Sequence, residues 1–213
     1  PLIFNIWCQR FRPDTVVPRE GLALDQHGIG AVNNVTWSIS FANKAAVGAA
    51  ARFVKQVVQR YSARYPNTTL LWYACFDGYS ETEFFPSDAM LGPGQFDYST
   101  NAQTAFEEFL AKKYRTIEAL SKAWAVSPPL RNFSAALPPH NSTGSGQREV
   151  DWSLLRELIL GTAIRAIRDA IHGVKLPTNT GSQAPPRAAV QWGSVFDGAV
   201  RNRGVIDFPG LAA

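Results

Sequence analysis

Three carboxylates follow an apolar run in this sequence. Residues 70–76, LLWYACF, have the composition of a buried strand, and Asp77, Glu81 and Glu83 lie in the glycine-containing turn that comes next. A pair of carboxylates can hydrolyse a glycosidic bond, and α/β barrels place such groups at the carboxyl ends of their strands. The run therefore predicts a hydrolytic site at a strand end. The alternative is that the acids only solvate a loop or cap a helix.

The next segment resembles the entry to an amphipathic helix. Residues 96–99 read FDYS, and residues 105–125 read AFEEFLAKKYRTIEALSKAWA, with apolar side chains at helical spacing. Ser99 or Thr100 is expected to cap this helix. For Asp97 and Tyr98 we expect a role in helix entry rather than contact with a ligand. A strand ending in acids and followed by such a helix favours carbohydrate chemistry.

The order of these segments resembles glycoside hydrolase family 42, the β-galactosidase-type barrels. The resemblance rests on a strand that starts at Trp72 and ends in acids, a helix of the type AFxxFLxxKY, and the run TIEALxxAW. Upstream, residues 2–8 and the runs PREGL and LDQHG resemble the family's third strand and its loop. The resemblance covers roughly residues 1–125, and it covers the rest of the chain more loosely. It implies a (β/α)₈ barrel with long βα loops that cleaves O-glycosidic bonds with retention, using a strand-four carboxylic acid as general acid/base.

One departure concerns that acid. The family ends this strand with Asn-Glu, and a gapless match from Trp72 puts Phe76 and Asp77 there. Either Asp77 replaces the glutamate, or a short insertion shifts the role to Glu81 or Glu83. An aspartate is one methylene shorter and needs a backbone shift of about 1 Å, to which catalysis is sensitive. We therefore order the candidates Glu81, Glu83, Asp77.

The length limits how much of a barrel is present. The chain has 213 residues, 46% of them hydrophobic, enough for one substantial core. A complete barrel needs about 250 residues. We predict one partial barrel domain over residues 1–213, incomplete at both ends. The resemblance puts the nucleophile on strand seven, which we expect beyond Ala213, so we expect this chain alone to be inactive.

Patterning predicts alternating strands and helices. Strands are expected at 2–8, 70–76 and 189–196, and the first two should be parallel neighbours joined by a helix over 43–65. A second long helix is expected over 151–172, ended by Gly173, after a flexible insertion at about 127–147. Several apolar residues are expected to be buried, including Phe53 and Tyr61 on the first helix and Leu154, Leu158 and Thr162 on the second.

Substrate-binding candidates lie near the predicted strand ends. Residues 9–40 are too long for an idle connection, so they are expected to shape a site. Trp7 and Trp37 suit stacking on a sugar ring, although anchoring in the core or loop is the alternative for both. Arg10 lies in the same loop, and Asp197 follows the last predicted strand.

Other chemistries are disfavoured. The net charge is +4, from 21 basic and 17 acidic residues that are dispersed, so nucleic-acid binding is not expected. No apolar stretch of 18 residues occurs, so no membrane helix is expected. Cys8 and Cys75 are too few for a metal framework; we expect free thiols rather than a disulfide. His27, His140 and His172 lack ligand spacing and are expected at the surface or in loops. No phosphate loop or G-x-S-x-G motif occurs, so no metal or cofactor is predicted.

The N-x-Ser/Thr sequons slightly favour an exported protein. They occur at Asn34, Asn67, Asn132 and Asn141, all in predicted loops. Three functions remain open: a retaining β-galactosidase-type glycosidase, a barrel that binds carbohydrate without cleaving it, and another barrel enzyme. The first is preferred, with a carbohydrate as its partner.

Overall fold

The computed structural model describes residues 2–7, 10–11, 19–25, 27–28, 30, 37–65, 70–75, 97–140, 146–174 and 187–191. Its strands are β1 (Leu2–Trp7), β2 (Arg10–Phe11), β3 (Trp37–Ser38), β4 (Leu70–Cys75) and β5 (Arg187–Gln191). Its α-helices are α1 (Lys44–Arg64), α2 (Thr100–Tyr114), α3 (Ile117–Ala123) and α4 (Gln147–His172). Short 3₁₀ helices occupy Arg19–Gly21 and Phe133–Ala135.

The main sheet has the order β1-β4-β5, with all three strands parallel. Leu2 to Trp7 pair in register with Leu70 to Cys75, and Cys75 in turn pairs with Gln191. The prediction that the first two strands are parallel neighbours joined by a helix is therefore confirmed. Cys8 lies outside the described residues.

The helices pack on one another as well as on the sheet. Helix α1, which joins β1 to β4, packs against α4, which lies between β4 and β5 in the chain. Because the two helices touch, both crossovers lie on the same face of the sheet. Sequential strand order with the helices on one face is the arrangement of an α/β barrel rather than of a doubly wound sheet.

The first long helix begins and ends as predicted. The Asn43 side chain accepts a hydrogen bond from the Ala46 amide at 2.9 Å, which satisfies one of the free amides of the first turn. Tyr65 is the C-cap, directly before Pro66. The core between α1 and α4 includes Val54, Val58 and Ile167, each at most 1% exposed.

The predicted buried faces were too wide. Phe53 and Tyr61 are 37% and 36% exposed, and Leu154 and Leu158 are 39% and 53% exposed. Thr162 is also exposed and donates its hydroxyl to the Leu158 carbonyl at 2.8 Å. The reason is geometric: α1 and α4 meet along a narrow line, so apolar residues at the edges of each stripe lie outside the contact.

The second long helix starts four residues earlier than predicted, at Gln147, and ends before Gly173 as expected. Residues 127–140, which were assigned to the insertion, contain the helix Phe133–Ala135. Leu130, Phe133 and Ala136 pack against the core formed by α2, α3 and the start of α4. Residues 141–145 lie outside the described residues. The three histidines, His27, His140 and His172, are exposed, as predicted.

Candidate active site

Three parallel strands end level with one another at the carboxyl edge of the sheet. Trp7, Cys75 and Gln191 are the last residues of β1, β4 and β5, and they follow one another in the ladder. The chain leaves this edge after each strand, so the segments after Cys75 and Gln191 start there. The candidate acids Asp77, Glu81 and Glu83, and the candidate ligand Asp197, belong to those segments but lie outside the described residues. Their roles stay predictions.

Two of the predicted binding residues belong to one two-stranded ladder. Strands β2 and β3 are antiparallel, with Arg10 opposite Ser38 and Phe11 opposite Trp37. Arg10 and Trp37 therefore lie on neighbouring strands but are not paired with each other. The third, Trp7, is the last residue of β1 itself.

The connections that follow β1 and β4 are joined to each other. We call the contact the loop junction; it comprises Glu20, Leu24 and Ser40 from the first connection and Asp97, Tyr98, Ser99 and Asn101 from the entry to α2. At its centre the Leu24 amide donates to Asp97 Oδ1 at 3.2 Å, and the Tyr98 amide donates to the Leu24 carbonyl at 2.7 Å. Both backbone polar groups of Leu24 are thereby satisfied by α2's entry segment.

Side chains add a second set of bonds. The Glu20 carbonyl accepts from the Nδ2 of Asn43 at 3.1 Å and from the Nδ2 of Asn101 at 3.2 Å, so it joins the first turns of α1 and α2. The Ser99 hydroxyl donates to the Ser40 hydroxyl at 3.2 Å. Helices in βα units begin at the carboxyl edge of the sheet, so the junction lies at the edge where barrel enzymes build their sites.

Asp97 is the buried charge of the junction. It is 1% exposed, and its Oδ1 accepts both from Leu24 and from the Ser99 amide, the latter at 2.8 Å. Among the residues that the structure describes, its Oδ2 has no hydrogen-bond partner. Burial raises the pKa of this carboxyl, and the interactions with the Ser40 side chain and with the Ser99 and Leu24 amides only partly offset that effect. The predicted helix-entry role is confirmed, because the Ser99 amide lies at the N-terminus of α2 and the Ser99 side chain caps it. Ligand contact by Asp97 or Tyr98 is untested.

The runs AFxxFLxxKY and TIEALxxAW, which resemble family 42, have a structural role in this chain. Their apolar members Phe106, Leu110 and Leu120 are fully buried. Their polar members Lys113, Tyr114 and Trp124 all donate to the carboxylate of Asp151, a fully buried residue of α4. The two runs therefore hold α2 and α3 against α4 and supply no group to the strand edge.

Sequence reasoning missed Asp151. Its side chain accepts from Lys113 Nζ at 2.6 Å and Gln147 Nε2 at 3.0 Å on one oxygen, and from Tyr114 and Trp124, each at 2.8 Å, on the other. An acid near a helix N-terminus looks like an ordinary dipole partner. One feature of the sequence could have indicated that Asp151 is buried: it lies one helical turn before Leu155, on the same face of the helix.

Three comparisons bear on identity. The family model of glycoside hydrolase family 42, described as β-galactosidase, matches residues 88–188, which is 101 of the chain's 213 residues. The resemblance to family 42 is confirmed. The matched range spans α2, α3 and α4, and includes Asp97 and Asp151.

Similar proteins include two β-galactosidases and one β-amylase. β-Galactosidase BbgII of Bifidobacterium bifidum is 38% identical over 48 residues, 21% of this chain and 7% of that protein. The polyextremophilic β-galactosidase of Halorubrum lacusprofundi superposes with a TM-score of 0.61 at 18% identity, over 80% of this chain and 25% of that one. The catalytic domain of a β-amylase from Paenibacillus polymyxa gives a TM-score of 0.56 at 16% identity, over 83% of this chain and 49% of that domain.

These structural likenesses concern the fold alone: the strands and helices of this chain superpose on part of TIM-barrel glycosidases. The chain spans about a quarter of the solved β-galactosidase. Within the described residues, no helix is long and apolar enough to cross a membrane. No group of three or more metal-binding side chains occurs in that same part of the chain.

Proposed function

We propose that this chain is the part of a retaining glycosidase of β-galactosidase type that carries the general acid/base. The observation that carries the proposal is the parallel pairing of β1, β4 and β5, with the acidic segment placed in sequence directly after the central strand β4. The family match over residues 88–188 supports the same reading. The carbohydrate substrate and the β-galactoside linkage are part of the proposal.

The proposed reaction needs two carboxyl groups. One of Glu81, Glu83 and Asp77, taken in that order, protonates the glycosidic oxygen while a second carboxylate attacks the anomeric carbon and the C–O bond breaks. The first residue, now a carboxylate, takes a proton from water, and that water displaces the enzyme carboxylate to give the sugar with its original anomeric configuration. We propose that the nucleophile belongs to strand seven of the barrel.

The remaining sheet is proposed to close into a (β/α)₈ barrel, with this chain as one partial domain. The strands follow chain order, and the two crossovers share one face, as barrel closure requires. Trp7, Arg10 and Trp37 then line the carboxyl edge beside the acids, and Asp197 joins them from the segment after β5. Arg10 and Trp37 are proposed to contact the sugar from the two-stranded ladder of β2 and β3.

One observation favours a second function, a barrel that binds carbohydrate without cleaving it. The gapless match from Trp72 puts Phe76 and Asp77 where the family has Asn-Glu. Without a correctly placed acid, the site would retain aromatic and charged groups for binding and lose the proton donor.

Activity assays on the full-length protein distinguish the two. The protein is incubated with an aryl β-D-galactoside, with lactose and with the matching aryl β-D-glucoside, and the first-formed anomer is followed by proton NMR. Release of β-galactose before mutarotation supports the retaining mechanism. First-formed α-galactose would contradict retention, and saturable binding of galactosides without turnover would establish the binding function instead.

A further inference from the structure

We infer that Asp97 is a positioning residue of the active site: its buried carboxylate fixes the connection after β1 against the connection after β4. The inference rests on the proposed glycosidase function. It concerns a residue that acts through the backbone amide of Leu24.

Asp97 itself is held firmly. The adjoining Tyr98 is 4% exposed, donates its hydroxyl to the Pro139 carbonyl and lies 5.7 Å from the Trp152 ring, centroid to centroid. On the other side, Ser99 caps α2. The carboxylate therefore belongs to a segment that is packed into the helical core. Its hydrogen bond can restrict the motion of the group that it binds.

What it binds is the first connection. The Leu24 amide donates to Asp97 Oδ1, and the Tyr98 amide donates to the Leu24 carbonyl. From Leu24 the constraint runs along the backbone, because Leu22 is bridged to Ile39, two residues after Trp37. Trp37 belongs to the two-stranded ladder that also contains Arg10. The loop junction is therefore connected to this ladder through the backbone of Leu24 and the bridge between Leu22 and Ile39.

The same residue holds the end of the second connection. Asp97 lies 14 positions after Glu83 in the sequence, and its bond to the Ser99 amide fixes the turn into α2. One carboxylate thereby ties the end of the connection that carries the proposed acid to the connection that carries the proposed sugar contacts. Displacing reacting groups by about 1 Å can lower turnover by about 100-fold.

A purely structural role makes a different prediction. It would lower the melting temperature and leave kcat and KM unchanged in the folded protein. Asp151 supplies the comparison, since it is equally buried but lies in the helical layer; its described partners are side chains of α2, of α4 and of Trp124, the C-cap of α3.

The experiment compares Asp97→Ala, Asp97→Asn and Asp151→Ala in the full-length protein. Melting is recorded first, and kinetics on an aryl β-D-galactoside are then measured well below each midpoint. Hydrogen exchange followed by mass spectrometry reports the protection of the Leu24 and Tyr98 amides. Asn101→Ala, which removes a bond to Glu20 at a half-buried position, provides a milder variant if Asp97→Ala does not fold.

The expected result is a fall in kcat of about 10- to 100-fold for Asp97→Ala, with faster exchange at Leu24. Asp97→Asn should recover most of the activity, because the amide oxygen can still accept both backbone bonds. Asp151→Ala should melt earlier but keep wild-type kcat and KM. Asn101→Ala should show the same kinetic defect in weaker form.

Two outcomes overturn the inference and are separable. If Asp97→Ala releases Leu24 yet retains wild-type kcat and KM, the positioning role is wrong while the glycosidase function stands. If the wild-type protein hydrolyses no glycoside, the proposed function fails and the positioning role fails with it, whatever the exchange data show.

Discussion

The ammonium group of Lys113 lies 2.6 Å from the fully buried Oδ1 of Asp151, which ties α2 to the first turn of α4. The lysine side chain is one-third exposed, whereas the aspartate side chain is fully buried. Every described contact of the carboxylate is with a donor, and both of its oxygens are used twice. A buried carboxylate tolerates burial only when its lone pairs are satisfied in this way.

Removing this carboxylate should destabilise the protein strongly. Asp151→Ala leaves the Tyr114 hydroxyl and the Trp124 indole N–H without their acceptor in the core, and we expect a loss of about 3 kcal/mol in the free energy of unfolding. The matched control is Asp169→Ala on the same helix, whose exposed pair with Arg168 should contribute less than about 0.5 kcal/mol. Urea unfolding of both variants checks the prediction. Equal losses would show that Asp151 is no more important than a surface acid.

The two buried aspartates should respond to pH in opposite directions. Burial by itself raises the pKa of Asp151, but the bonds from Lys113, Trp124, Tyr114 and Gln147 together lower it below the ordinary value. Its stabilisation is therefore present above the unfolded pKa of about 4 and is lost as the pH falls through the lower folded value. Asp97 has a raised pKa because of burial, so its contribution is full below about pH 4 and is lost as the pH rises through its folded value.

Asparagine variants separate these signs. The cost of Asp151→Asn in unfolding free energy should shrink as the pH is lowered from 6 towards 3, about the range of the carboxyl titration. Asp97→Asn should gain stability relative to wild type as the pH rises over the same interval. Denaturant unfolding at several pH values measures both. Parallel pH profiles for the two variants would contradict the opposite pKa shifts.

A structural feature was predictable from the sequence when the residues that determine it lie close to it in the chain. The bounds of α1 were predictable because Asn43 and Pro66 act within a few residues of themselves. The parallel pairing of β1 and β4 followed from strand-helix-strand order. The exposure of Phe53 and Leu158 was not predictable, since periodicity identifies an apolar face and does not say how much of that face a neighbouring helix covers.

In the candidate site, too, local features were predictable and long-range contacts were not. A turn rich in acids after a strand is a local pattern, and it named Glu81 and Glu83 as candidates. The loop junction joins Leu24 to Asp97, residues that are 73 positions apart, through a backbone amide that carries no sequence signal. The importance of Asp151 likewise depends on donors from two other helices. Such long-range polar contacts need coordinates.

The turn between α2 and α3 should be strained at Arg115. This residue has φ 65° and ψ −34°, and the Thr116 amide donates to the Tyr114 carbonyl at 2.8 Å across it, as in a γ-turn with positive φ. A side chain at positive φ is disfavoured, whereas glycine tolerates it. Arg115→Gly should therefore raise the free energy of unfolding by about 0.5–1 kcal/mol. Arg115→Ala, which keeps a Cβ atom, is the control and should give no gain in chemical denaturation; a gain in both would attribute the effect to the arginine's charge.

The identity of the general acid/base can be decided by leaving-group dependence. In the full-length enzyme, Glu81→Ala, Glu83→Ala and Asp77→Ala are compared on lactose and on an activated aryl β-D-galactoside. An activated aryl group departs without protonation, so loss of the true acid should slow lactose hydrolysis by about 10²- to 10⁴-fold and largely spare the first step with the aryl substrate. Azide should then partly restore turnover where the second step limits, because a small anion attacks the glycosyl-enzyme without a general base. The variant that combines both effects identifies the residue. If all three variants match wild type, the carboxylates after β4 have no catalytic role, whereas selective loss in Glu81→Ala would place the acid/base four residues beyond the position given by the gapless match.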